Sequence, residues 1–183
     1  MYRENFEIWL ESQYIDGKIK EELRAIEKIE SEIEDRFYKD LEFGTGGMRG
    51  KIGAGTNRMN VHTVSKATQG ISNYLNNKYT DDDISVAIAY DSRHMSMEFA
   101  KIAACVFSAN GIKVYLFENL RPTPELSYTV RYFKCKAGVV ITASHNTAEY
   151  NGYKIYDEHG GQVTTDIDVI IKNIKEVQLK DIK

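Results

Sequence analysis

A chain of 183 residues with 24 Lys and Arg, 27 Asp and Glu, 42% hydrophobic residues and 2 cysteines has the make-up of one globular domain, or one and a half. A net charge of −3 and a pI near 5.9 supply no basic field for nucleic-acid phosphates, and no like-charge block marks a tail for a membrane or polyanion. Cys105 and Cys135 stand apart without a CxxC pair, which excludes a disulfide scaffold or zinc module and points to the cytoplasm. The opening Met-Tyr-Arg-Glu-Asn-Phe-Glu is too charged for a signal core, and no apolar run approaches the roughly 18 residues that span a bilayer.

In chain order, Phe6, Trp9, Leu10 and Tyr14 recur at helical spacing, and Ile19, Leu23, Ile26, Ile29, Ile33 and Phe37 continue that period. These predict two amphipathic helices broken near Asp16-Gly17, forming a helical arm over residues 1–40 that packs on a main domain of residues 41–183. Their polar faces mix Glu and Lys, which argues against a membrane helix.

From Phe43 to Gly55 the chain holds six of its 13 glycines and predicts a loop. It is no P-loop, because Thr45 and Ile52 stand where glycine and Ser or Thr are needed, and no dinucleotide fingerprint, because Arg49 stands where the third glycine should. An oxyanion cradle around Arg49 and Lys51 and a tight connection remain as readings.

Beyond it, helix and strand alternate: a helix over 61–77, a strand over 84–90, a helix over 95–110, a strand over 113–117 and a short helix after Pro124. A strand over 137–142, another over 153–156 and a final helix over 166–177 follow. This predicts an α/β fold, a layered mixed sheet flanked by helices.

Each buried strand runs into a polar loop: Asp91-Ser92-Arg93-His94, Arg121-Pro122-Thr123-Pro124-Glu125, and Thr142-Ala143-Ser144-His145-Asn146. Ligands of open α/β sheets bind outside the carboxyl ends of the strands, so three such loops predict one site. Asp91, Ser92, Pro122 and Pro124 also suit plain capping and chain-breaking roles. Guanidinium groups at Arg49, Arg93 and Arg121 suit bidentate binding of phosphate, and equally suit surface ion pairs. Ser144 lacks the flanking glycines of a nucleophile elbow, and adjacent residues on an extended loop point apart, which argues against a Ser144–His145 dyad. His62, His94, His145 and His159 lack metal-ligand spacing.

Four segments, in this order, resemble the α-D-phosphohexomutases, the family of phosphoglucomutase and phosphomannomutase. They are Phe43-Gly44-Thr45-Gly46-Gly47-Met48-Arg49-Gly50, Tyr90-Asp91-Ser92-Arg93, Arg121-Pro122-Thr123-Pro124-Glu125, and Thr142–Asn146 followed by Asn151-Gly152-Tyr153-Lys154. The arm and the Gly53–Asn60 stretch look most like the bacterial phosphoglucomutase branch, which is also similar to animal phosphopentomutases. The resemblance implies the phosphoserine domain of a four-domain mutase that interconverts hexose 1-phosphate and hexose 6-phosphate through a sugar bisphosphate. It implies catalytic roles for Ser144, His145, Lys154 and Arg49, and phosphate or substrate contacts from Arg93, Arg121 and Asn146. For Lys154 to act as a base its pKa must come down.

It also implies one Mg2+, held by the phosphate on Ser144 and by ligands of a second domain, with sugar bisphosphate as activator. The partners it implies are a small sugar phosphate and the remaining domains, with no nucleic acid or membrane. The charged run Lys172–Lys183 fits a chain cut before those domains. A phosphopentomutase, a sugar-bisphosphate synthase and a non-catalytic anion-binding module are the alternatives. Thr147 departs from the family by replacing its usual proline, which frees a backbone N–H and loosens φ.

Overall fold

The computed structural model describes residues 1–80 and 83–183. Three short helices lead the chain, α1 (Tyr2–Glu11), α2 (Gly17–Ala25) and α3 (Glu30–Phe37). The first expected helix stops sooner, at Glu11, where Ser12 N–H donates to Ile8 O at 2.9 Å, and Asp16 caps the next, its Oδ1 accepting from the N–H groups of Lys18 and Ile19 at 3.0 and 3.1 Å. The long second helix is in fact two, because a tight turn over 26–29 breaks the ladder, with Ile29 N–H donating to Ile26 O at 2.8 Å. The apolar period survives that break because Leu23, Ile26, Ile33 and Phe37 all bury into one cluster with Phe6 and Trp9. Both aromatic rings meet Phe37 edge-on at 5.7 Å.

The glycine tract is not the expected loop. It is a hairpin of β1 (Phe43–Gly44) and β2 (Gly47–Lys51), turned by Thr45-Gly46. Gly47 has φ +95, and a Cβ there would stand 2.2 Å from Tyr153 O, so glycine is what lets this strand lie flat on its neighbour.

The remaining elements follow the predicted alternation: α4 (Val61–Lys78), β3 (Ser85–Tyr90), α5 (Ser96–Ala109), β4 (Lys113–Leu116), α6 (Thr123–Tyr132), β5 (Ala137–Ile141), β6 (Tyr150–Tyr156) and α7 (Ile167–Glu176). Asn60 caps α4 in a reciprocal box with Thr63, and Pro124 sits in the first turn of α6. The strand expected over 153–156 begins three residues earlier, since Tyr150, Asn151 and Gly152 pair with Lys51, Gly50 and Arg49.

The six strands form one mixed sheet in the order β1-β2-β6-β5-β3-β4, parallel between β3 and β4 and between β3 and β5, antiparallel elsewhere. Alternation along the strands separates two cores. On one face Val86, Ile88, Val139, Ile141, Tyr153 and Ile155 pack under α4, α5 and α7, through Ile71, Phe99, Phe107 and Ile170 among others. On the other, Ala87, Ala89, Val140 and Tyr156 pack under α6 through Leu126 and Val130. No helix among the described residues is long and apolar enough to cross a membrane.

Candidate active site

The three polar loops meet at one rim, as the strand order requires. Asp91 N–H donates to Ile141 O at 3.2 Å and Arg121 N–H to Tyr90 O at 3.0 Å, so backbone bonds tie the ends of β5, β3 and the chain after β4 together. A hollow of about 460 Å³ opens there, lined by Asp91, Arg93, Ser144 and Asn146 among others. Larger hollows lie away from these loops: about 800 Å³ beside Ser85 and Lys113 at the opposite ends of the strands, about 520 Å³ beneath the arm, and about 490 Å³ beside the glycine hairpin, lined by Arg49, Lys51 and Tyr150 among others.

Ser144 turns the chain out of β5 in the left-handed region, at φ 57, which costs a non-glycine residue roughly 1–2 kcal/mol. Its N–H donates to Thr142 Oγ1 at 3.0 Å, and Asn146 N–H closes the turn on Ala143 O at 3.2 Å. Because the turn is left-handed and not extended, Ser144 Oγ comes within 3.5 Å of His145 Nδ1, against the expectation that neighbours point apart. Serine and imidazole are both exposed to solvent.

Arg93 carries this loop. Nη1 donates to Thr147 O and Tyr150 O at 2.9 and 3.1 Å, and Nη2 to Ser144 O and Asn146 O at 2.7 and 2.6 Å. Its Nε faces Asp91 Oδ2 at 3.4 Å. A guanidinium has five N–H donors, and this fork directs all five at the protein. Behind it, Asp91 Oδ1 accepts from Arg93 N–H and Ser96 Oγ, at 3.0 and 2.7 Å. Asn151, fully buried, donates to His94 O and Ser96 Oγ at 2.8 and 2.9 Å. Ser96 and Asn151 had no assigned role from sequence; the only signal was the placement of Asn151 beside Gly152 in a motif already singled out.

Arg49 and Lys154 stand on the sheet next to Thr142, outside the lining of the Ser144 hollow. Register pairs Arg49 with Gly152 and Val140 with Lys154, while Thr142 N–H donates to Gly152 O at 3.0 Å. Side chains of paired residues share a face, so Arg49, Lys154 and Thr142 stand on the α6 face around a glycine with no side chain. A Cβ at Gly152 would lie 2.6 Å from Thr142 O and 2.9 Å from Met48 O. Neither Arg49 nor Lys154 has a hydrogen-bond or ion-pair partner among the described residues. Arg121, by contrast, pairs with Glu125 at 3.0 Å and lies over the Phe117 ring, without a contact to Ser144.

Asn146 Oδ1 is buried without a hydrogen-bond partner. At Glu149 the residue's own backbone N–H and the Thr147 hydroxyl hold the carboxyl below its usual range, with Lys51 adding to the effect. No three His, Cys, Asp or Glu side chains among the described residues gather as a metal site. An exposed serine, two unpartnered cations and a fixed turn can together receive a phosphorylated ligand.

Comparison with known proteins gives the family. The domain model for phosphoglucomutase/phosphomannomutase, alpha/beta/alpha domain I, matches residues 40–181. A phosphoglucomutase of Staphylococcus epidermidis is 50% identical over 135 residues, covering 74% of this chain and 24% of its own length. One from Staphylococcus aureus is 42% identical over 160 residues, covering 87% and 28%. The chain thus spans about a quarter of the length of the curated relatives it matches. Among solved structures, a Thermus thermophilus protein assigned as a phosphomannomutase superposes with a TM-score of 0.69 at 28% identity, covering 77% of this chain and 31% of that one. The open form of parafusin, a phosphoglucomutase of Paramecium, superposes with a TM-score of 0.63, covering 77% and 26%; at 22% identity that likeness concerns the fold. On this match and this site, the chain belongs to the phosphoglucomutase/phosphomannomutase family, through its alpha/beta/alpha domain I.

Proposed function

We propose that this chain is the phosphoserine-bearing part of an intramolecular phosphotransferase that interconverts hexose 1-phosphate and hexose 6-phosphate. Ser144 carries a phosphoryl group, gives it to the free hydroxyl of the sugar monophosphate, and takes one back from the other end of the resulting bisphosphate. The observation that carries the reading is the pair of cations, Arg49 and Lys154, set without protein partners on the sheet face that ends at Ser144. Phosphoryl transfer spreads negative charge over the migrating group, so uncommitted cations on a rigid sheet are the groups this chemistry needs. Arg49 then stabilises charge, and Lys154 serves the substrate hydroxyl as acid and base.

The family implies Mg2+. Ser144, through its phosphate, and the orphaned Asn146 Oδ1 offer the hard oxygens that Mg2+ takes, while the described residues supply no carboxylate cluster to complete a shell. When bound, the ion would neutralise charge on the phosphoryl oxygens. The metal loop, the sugar-recognising loop and further phosphate contacts are then expected from domains beyond this one, so the domain alone would be inactive or nearly so.

The test is mutase turnover of hexose 1-phosphate by the full-length protein with Ser144→Ala. Loss of several orders of magnitude, with the melting temperature kept, is expected; near-normal turnover would reject Ser144 as the carrier.

A further inference from the structure

We infer that Arg93 is a positioning residue for the phosphoryl-bearing loop, pulling its carbonyls inward so that the loop presents its N–H groups to an anion. The inference rests on the mutase reading for its purpose, though its geometry stands apart. Of the loop residues from 144 to 147, only His145 lacks a carbonyl on the guanidinium. In a trans peptide the C=O and the following N–H point in opposite directions, and this chain has no cis peptide. With the carbonyls of Ser144, Asn146 and Thr147 drawn to Arg93, the N–H groups of His145, Thr147 and Ala148 face away from it.

Those three N–H groups have no partner among the described residues, and all three residues are exposed. The Thr147 and Ala148 N–H groups are successive, as in the backbone concavities that bind anions, and the His145 N–H stands across from them, while the intervening Asn146 N–H turns inward to Ala143 O. Thr147 matters here, because a proline in its place would have no N–H to offer. Arg93 itself is only 15% exposed, and Asp91, Ser96 and Asn151 hold its surroundings, so the device is built into the domain.

Arg93 therefore acts on the anion through the loop, its Nη1 and Nη2 bonded to four carbonyls and its Nε turned to the Asp91 carboxylate. Lysine would keep the charge but has three donors on one nitrogen and no planar fork, so it cannot hold four carbonyls. Arg93→Lys thus separates geometry from charge.

The experiment is a titration of the full chain with inorganic phosphate, followed by amide resonances. In the unmodified protein the amides of His145, Thr147 and Ala148 should shift together. Arg93→Lys should weaken that binding roughly tenfold, the scale of one lost charge-assisted hydrogen bond, with the other amides still dispersed as in a folded domain. In Arg93→Ala, added guanidinium ion should restore part of the response. Equal phosphate binding by Arg93→Lys, or shifts in the parent protein confined to the Arg49 strand, would overturn the inference. So would the absence of any shift. Ser144→Ala keeps the N–H face, so phosphate binding there alongside a Ser144 that never accepts a phosphoryl group would remove the mutase reading and leave the cradle standing.

Discussion

The guanidinium of Arg93 holds the carbonyl of Ser144 at 2.7 Å across 51 positions of sequence. That bond couples the loop after β3 to the loop after β5, and it converts two polar strand ends into one site. Its support is a buried network, so changes well behind the serine should reach it.

Asn151→Leu tests that support. It removes the two donors that satisfy His94 O and Ser96 Oγ and leaves Ser96, itself buried, short of a partner. A loss of about 2–3 kcal/mol in urea unfolding is expected, together with faster amide exchange in the 144–150 loop. Unchanged exchange there would show that the network does not hold the turn.

Gly152→Ala probes the sheet beneath the two cations. An added methyl would meet backbone oxygens on both flanking strands, which cannot swing aside as a side-chain tip can. We expect a loss of about 2–4 kcal/mol and, in the full-length protein, a fall in the proposed mutase turnover from the displacement of Arg49. A stable, fully active Gly152→Ala protein would contradict the placement of Arg49 and Lys154 around an empty glycine.

The arm should loosen in mild acid. His62, on α4, donates through Nε2–H to Asp16 Oδ2 at 3.0 Å and meets the Trp9 ring edge-on at 5.7 Å. Burial pushes the imidazole below its ordinary 6.5, against the opposing pull of Asp16. The unfolded chain then takes up the proton first, so this contribution is full above about pH 6.5 and declines as pH falls below it. Burial raises the Asp16 carboxyl, but the N–H of Ile19 and the imidazole outweigh that and hold it below 3.8, so its own contribution persists until lower pH. Thermal unfolding between pH 7.5 and 5 should therefore show a decline that His62→Gln reduces. An identical decline in His62→Gln would place the titration elsewhere.

Much of the site was legible in the chain, for identifiable reasons. The strand ends could be read because β3 and β5 are continuous apolar runs that stop at Asp91 and Thr142, and topology rules bring such ends together. The hairpin of Phe43–Lys51 was not legible. Its glycines look like a loop locally, and the close approaches of Tyr153 O to Gly47 and of the Leu41 side chain to Gly50 exist only in the folded sheet. Nor was the inward orientation of Arg93, since a loop arginine facing a phosphate and one facing carbonyls have the same sequence. The arm hid its middle break because periodicity reports which side of a segment faces the core, and Leu23, Ile26, Ile33 and Phe37 keep that side across the turn over 26–29 while Ile29 turns out to solvent.

The central claim is that Ser144 is a phosphoryl carrier, and the direct test is mass spectrometry of the full-length protein before and after exposure to a hexose monophosphate. The account predicts a peptide containing Ser144 that is heavier by one phosphoryl group, about 80 Da, and that loses this mass to the sugar. A Ser144 that is never phosphorylated, or whose phosphate stays in place in the presence of sugar phosphate, would contradict it.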